Sequence, residues 1–164
     1  MAIELFSLRK ADMSDISSID GLLRRSYPAL LKKDYPPSVM VMAVPLISRA
    51  NPDLIRRGTY ILVEASGRRA VGAGGWSVSR QTKDAAEVRH LAIDPDFLRR
   101  GLGTLILERV ASEARSAGLR QLYAHAALGA VPFYSANEFE ALNPVTVPLR
   151  PGISFEAMRM VRPL

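Results

Sequence analysis

Val88-Arg89-His90-Leu91-Ala92-Ile93-Asp94-Pro95-Asp96-Phe97-Leu98-Arg99-Arg100-Gly101-Leu102-Gly103-Thr104, continued by Leu105-Ile106-Leu107-Glu108-Arg109-Val110, is the stretch on which the fold of this chain turns. Residues up to Ile93 read as a strand, and Leu102, Leu105, Ile106 and Val110 then share one face of a helix. Gly101 and Gly103 remove side chains where loop becomes helix. The first-turn N–H groups there lack intrahelical partners and carry the positive end of the helix dipole. Such a terminus accepts a phosphate, and Arg99 and Arg100 add charge-assisted hydrogen bonds to the same anion. A tight turn before any helix would also use a Gly-x-Gly pair. The dinucleotide fingerprint requires a third glycine where Ile106 stands, and the nucleotide phosphate loop requires Gly-Lys followed by Ser or Thr, which is absent.

The rest of the chain narrows the choice. Its 164 residues suit one domain, 1–164, with a proper core. No cysteine is present, which excludes a disulfide framework and a thiolate nucleophile and fits a cytoplasmic setting. His90 and His125 lie far apart without metal-ligand spacing, so no metal is expected. Met1 to Lys10 has no apolar signal-peptide core, and the apolar run Val39 to Ile47 is broken by Pro45 and too short for a bilayer. The net charge of +6 is scattered and no helix-turn-helix or zinc-finger spacing appears, so no nucleic-acid partner is expected. A polyanionic small molecule accounts for part of that charge equally well.

Read in order, Ile3 to Leu8 is a first strand, and Asp12 caps a helix that runs to Tyr27 and stops at Pro28. Ser38 to Val44 and Pro52 to Arg57 suggest short helices between proline breaks. Thr59 to Ala65 and Ala70 to Val78 form a hairpin around Ser66-Gly67. Gly72, Gly74 and Gly75 precede Trp76, as either a bulge with tight packing or room for a substrate channel walled by Trp76. The helix after Gly101 ends at Ala117 with Gly118 beyond it. Leu119 to Ala126 is a strand with Leu122, Ala124 and Ala126 on one face and Tyr123 and His125 on the other. Ala141 to Leu149 and Ile153 to Val161 close the chain as two strands.

Two segments carry a family resemblance. Leu91, Ile93, Pro95, Gly101 and Gly103 resemble motif A of the GNAT superfamily of acyl-CoA N-acyltransferases, a strand ending Leu-x-Val/Ile-x-Pro before Gln/Arg-x-x-Gly-x-Gly/Ala. Leu98 stands where the family has Gln or Arg. Ala130 to Phe139 is similar to motif B: Phe133, Tyr134 and Phe139 match, Glu138 replaces a glycine, and Gly129 stands where many members carry Asn. The resemblance implies an α/β (α+β) fold, with a mixed, mostly antiparallel sheet of about seven strands, a central splay and about four helices. It implies acetyl-CoA as co-substrate, with cofactor contacts at Leu91, Ala92, Ile93, Arg99, Arg100, Gly101, Leu102, Gly103 and Thr104, and a possible homodimer.

The chemistry implied by the resemblance is transfer of an acetyl group to a primary amine of a small molecule or peptide. A lysine-type amine has a pKa near ~10.4, so roughly one molecule in a few thousand is unprotonated at neutral pH, a shortfall of about 4–5 kcal/mol. A proton acceptor or a desolvating pocket is therefore needed. Glu87, six residues before Ile93, has the spacing of the catalytic glutamate in histone-acetylating members, with Glu64 and His125 in reserve; a solvated edge-strand glutamate is the plainer reading. Tyr134 matches the tyrosine that protonates the leaving thiolate. Tyr27, Trp76 and His125 are expected to touch the acceptor, as is Tyr35 from the variable segment; Met40 and Met42 lie in the same segment but read first as core fillers. Two other readings keep the fold: a non-catalytic CoA-binding module, and an enzyme using a longer acyl-CoA.

Overall fold

The computed structural model describes residues 5–164, so Ile3 and Glu4 of the expected first strand lie outside the described residues. Seven strands form one sheet: β1 (Ser7–Lys10), β2 (Tyr60–Ala65), β3 (Arg69–Val78), β4 (Ala85–Ile93), β5 (Gln121–Ala126), β6 (Glu140–Arg150) and β7 (Ile153–Pro163). Their spatial order is β1-β2-β3-β4-β5-β7-β6. Every pairing is antiparallel except that of β4 with β5. That parallel pairing covers only Ala85↔Gln121, Ala86↔Leu122 and Glu87↔Tyr123. From Val88 to Ile93, β4 has no β5 partner, and the sheet splays there.

Two long helices cover the two faces. The first, α1 (Ile16–Leu31), packs on Tyr60, Leu62, Ala73 and Ala92. Asp12 caps the single 3-10 turn that opens it, and Asp15 returns the bond in a capping box. The helix does not stop at Pro28, which lies inside it. A proline deletes one N–H, to the carbonyl four residues back. That residue is Arg24, on an exposed turn where water can take the bond.

Three short helices follow: α2 (Pro37–Met42), α3 (Val44–Ile47) and α4 (Pro52–Arg56), the last capped by Asn51, which accepts from the Asp53 N–H at 3.0 Å. Tyr35 ties this segment down. Its hydroxyl donates to the Glu156 carbonyl at 2.7 Å and accepts from the Leu128 N–H at 3.0 Å, and its ring stacks on Phe155. This staple buries Tyr35 behind Phe155, and it does not line the cavities described below, contrary to the expected substrate contact. Met40 packs with the same cluster, while Met42 faces solvent.

On the other face, α5 (Leu102–Ser116) buries Leu102, Ile106, Leu107 and Val110 against the sheet, and α6 (Val131–Ala136) closes that core with Tyr134. The glycines of β3 serve this packing. A methyl at Gly74 would come within 2.8 Å of Ile106 and 2.9 Å of Leu91, and one at Gly75 within 2.3 Å of the Thr59 carbonyl. None of the three opens a channel, so the tight-packing reading holds. The edge strand β6 carries Pro144 and Pro148, which withhold N–H groups from any strand that would pair with it.

Candidate active site

The strand β4 is irregular where the sheet parts. Gly75 pairs with Arg89 and Ala73 with Ala92, so three steps on β4 oppose two on β3, and His90 takes a positive φ of 50°. The extra residue reverses the alternation. Val88 packs on the α5 side before it, as do Leu91 and Ile93 after it, leaving Glu87 and Arg89 on the opposite side. A regular strand would have put Glu87 and Ile93 on one face. The bulge is held by Tyr60, whose hydroxyl donates to the His90 carbonyl at 3.0 Å.

Beyond the bulge, backbone groups turn outward. The Asp94 N–H donates to the Val71 carbonyl at 2.8 Å, so antiparallel alternation points the Ile93 N–H and C=O away from β3, into the splay. From α1, Ser26 Oγ donates to the Ile93 carbonyl at 2.8 Å, and Tyr27 Oη lies 3.5 Å from the Leu91 carbonyl. The Ile93 amide therefore faces the gap, with no strand opposite. Asp94 anchors the following 3-10 turn by accepting from the Asp96 N–H at 2.9 Å. Burial alone would raise its pKa, but that amide and the Arg25 and Arg69 guanidiniums, each 3.1 Å away, hold it below the usual carboxylate range.

The chain then reaches α5 through Arg99 at φ 60° and Gly101 at φ 78°. No side chain caps this helix. Its first-turn amides border a cavity of about 480 Å³, which Leu91, Ala92, Ile93, Leu98, Arg99, Gly101, Leu102, Gly103 and Thr104 line on one side and Gly129, Phe133 and Tyr134 on the other. Gly103 lies under Phe133: a methyl there would meet the ring at 2.9 Å. Motifs A and B thus touch through that glycine. Ala92 offers only backbone, its methyl being buried on the α1 side. Arg100 does not line the cavity; its guanidinium lies 4.8 Å over the Phe97 ring.

A second cavity, of about 590 Å³, opens on the other side of the splay, with Glu87, Arg89, His90, Tyr123 and His125 among its walls. The two cavities share Tyr27, Leu31, Leu91, Ala127, Ala130 and Tyr134, and so meet inside the V of the parted strands. Burial pushes the Tyr134 hydroxyl well above its ordinary range, and does the same to Tyr27, with Tyr134 nearby adding to it. Both stay protonated. Glu87, the last β4 residue paired with β5, accepts from Ser79 Oγ at 3.1 Å.

Of the sequence-derived residues, Tyr27, Glu87, His125 and Tyr134 are brought together at the second cavity. Trp76 is not. It packs in the α5-side core, with its indole N–H 3.4 Å from Glu113, because β3 is covered by α5 at that point. Glu64 is also removed from consideration, since Arg9 Nε donates to it at 2.7 Å and ties it to Asp15. Arg89 and His90 were missed. Burial, with Arg89 beside it, pushes the His90 imidazole down to about 4. The sequence offers no sign of the bulge that turns His90 and Arg89 toward the cavity.

Comparison with known proteins agrees with this geometry. The family model "Acetyltransferase (GNAT) domain" matches residues 47–162. Among solved structures, a GCN5-related N-acetyltransferase from Rhodopseudomonas palustris superposes with a TM-score of 0.81 at 18% identity, covering 100% of this chain and 99% of its own. The PaiA N-acetyltransferase of Thermoplasma acidophilum, solved with coenzyme A, gives 0.75 at 14% identity, covering 98% and 99%. A phosphinothricin acetyltransferase from Sinorhizobium meliloti, solved with acetyl-CoA, gives 0.69 at 20% identity, covering 97% and 88%. No curated protein sequence matches. With the family model spanning more than two thirds of the chain, the splayed β4–β5 pair and the uncapped helix beyond it have a family: the chain belongs to the GNAT acetyltransferases.

Proposed function

We propose that this protein transfers the acetyl group of acetyl-CoA directly to a primary amine of a small molecule or peptide. The observation that carries the reading is the meeting of two cavities at Tyr134, one bounded by first-turn helix amides and the other by Glu87. The acetyl-CoA diphosphate sits on the amides of Leu102, Gly103 and Thr104, with Arg99 alongside. Its pantetheine runs along the outward backbone of Leu91 to Ile93, which brings the thioester carbonyl toward the Ile93 N–H. That amide stabilises the oxyanion of the tetrahedral intermediate.

The amine enters through the larger cavity and must first lose a proton. Glu87 accepts it, directly or through a water, and the nitrogen lone pair then attacks the thioester carbon. The C–N bond forms, the intermediate collapses, and the C–S bond breaks. Tyr134 gives its proton to the departing thiolate, a role suited to a hydroxyl that burial keeps protonated, and the second proton, shed by the newly acylated nitrogen, restores it. Tyr27 and His125 border the amine on either side. A chain without cysteine suits the reducing cytoplasm where acetyl-CoA is abundant.

Following thiol release from acetyl-CoA against a panel of primary amines tests this reading. Amine-dependent thiol release, with an acetylated amine as product, is expected. Tight acetyl-CoA binding without turnover on any amine would instead identify a CoA-binding module, and turnover only with longer thioesters would move the donor. Glu87→Gln should flatten the acidic limb of the pH–rate profile; an unchanged limb would remove Glu87 as base.

A further inference from the structure

A third cavity, of about 320 Å³, adjoins the acceptor cavity and shares Gln81, Glu87 and Arg89 with it. It is also lined by Arg57, the residue that follows α4, and Arg80, in the β3–β4 loop. Two carboxylates line it as well. Asp53 pairs with Arg56 at 3.1 Å, and Glu87 takes the Ser79 hydroxyl. Among the described residues, Arg57, Arg80 and Arg89 have no carboxylate within ion-pair distance; Arg89 reaches only Ser77 Oγ, at 3.5 Å. Three arginines without an ion-pair partner thus line a cavity that adjoins the acceptor cavity, against two carboxylates, and leave it an excess of positive charge.

We infer that the acceptor carries an oxyanion, a carboxylate or phosphate, on the end remote from its amine, and that Arg57, Arg80 and Arg89 bind it. This rests on the amine-acetylation reading of the same site. The guanidinium fork matches either oxyanion with two parallel hydrogen bonds. Arg89 and Glu87 stand on one face of β4, two residues apart, so the anion and the base project into the same space without competing for it. The pairing selects against diamines, whose second ammonium would meet the arginines.

The test separates this subsite from turnover. Acetylated ω-amino acids with three to six methylenes are titrated into the CoA-bound protein by calorimetry, each beside its terminal amide, with an acetylated aminoalkyl phosphate as the third arm. The acidic members are expected to bind at least about tenfold more tightly than the amides. A stronger carboxylate or phosphate arm identifies the class. In the Arg57→Gln/Arg80→Gln variant that ratio should fall toward one, and in Arg57→Glu/Arg80→Glu it should invert in favour of acetylated diamines. Equal binding of acid and amide to the unaltered protein, or a ratio that survives both variants, overturns the inference. Absence of thiol release with every amine would strike the acetylation reading alone, because these titrations need no turnover.

Discussion

The cavities proposed for donor and acceptor meet at Tyr134 and Tyr27, yet they are built from opposite materials. The donor side is mainly main chain: outward amides of β4, a helix start without a cap, and glycines that keep side chains away. The acceptor side is mainly side chain, with walls drawn from α1, α3, β4, β5, the segment after β5 and the β6–β7 hairpin. Backbone recognition ties the donor site to one short sequence pattern and one ligand. Side-chain recognition leaves the acceptor site free to change residue by residue without disturbing the cofactor.

The most severe test of that division lies where the two cavities join. Tyr134→Phe should lower kcat by about 10²–10⁴-fold while leaving the acetyl-CoA Kd within about threefold, because the ring and its edge contacts with Phe133 and Phe139 persist. An unchanged kcat would remove the acid role. Next in size is Gly103→Val. With Phe133 already 2.9 Å from a β-carbon placed there, the larger side chain forces motifs A and B apart. Overpacking of this kind costs about 1–3 kcal/mol, so acetyl-CoA affinity should fall by roughly ten- to hundredfold and Tm by several degrees. Retained affinity would show that the helix start is not the diphosphate site.

A similar-sized effect on the acceptor side is expected from His90. Its folded pKa of about 4 lies below the ordinary value of 6.5, so the unfolded chain binds the extra proton first as pH falls. Stability should therefore be insensitive to His90 above pH 6.5 and decline between pH 6.5 and 4, by a few kcal/mol at most. In His90→Asn, which tolerates the positive φ, urea unfolding at pH 5 and pH 7 should differ less than in the unaltered protein. An equal pH difference in both proteins would mean that the imidazole is not buried in its neutral form. The smallest effect concerns motif B. Glu138 holds a φ of 70° where the family has glycine, and its exposed carboxylate lies 3.6 Å from a buried Arg162 that Glu108 already holds at 2.8 Å. Glu138→Gly should raise stability by about 1 kcal/mol without altering kinetics, measured by denaturant unfolding. A loss of stability would give the ion pair more weight than its exposure suggests.

The same division explains what the sequence allowed to be read. Motifs A and B are local: strand, turn glycine, helix start and the Phe133-Tyr134 pair each depend on neighbours along the chain, and the fold came with them. Glu87 was singled out only through a family spacing, since no periodicity announces the extra residue at His90 that places Ile93 on the opposite face from it. Trp76, Gly72 and Gly74 were ambiguous because their environment includes α5, well downstream along the chain and directly overhead in the fold. Pro28 misled for a related reason: whether a proline ends a helix depends on whether water reaches the carbonyl it leaves bare, which is a matter of tertiary exposure. Arg57, Arg80 and Arg89 are ordinary basic residues in sequence and become a group only when α4, the β3–β4 loop and β4 are brought together.

The central claim, that acetyl-CoA is held by main-chain amides at the mouth of α5 and along parted β4, is tested most directly by amide NMR during an acetyl-CoA titration. The account predicts that the largest shifts fall on the N–H signals of Leu91, Ile93, Leu102, Gly103 and Thr104. Silence at those amides while signals elsewhere saturate would contradict it.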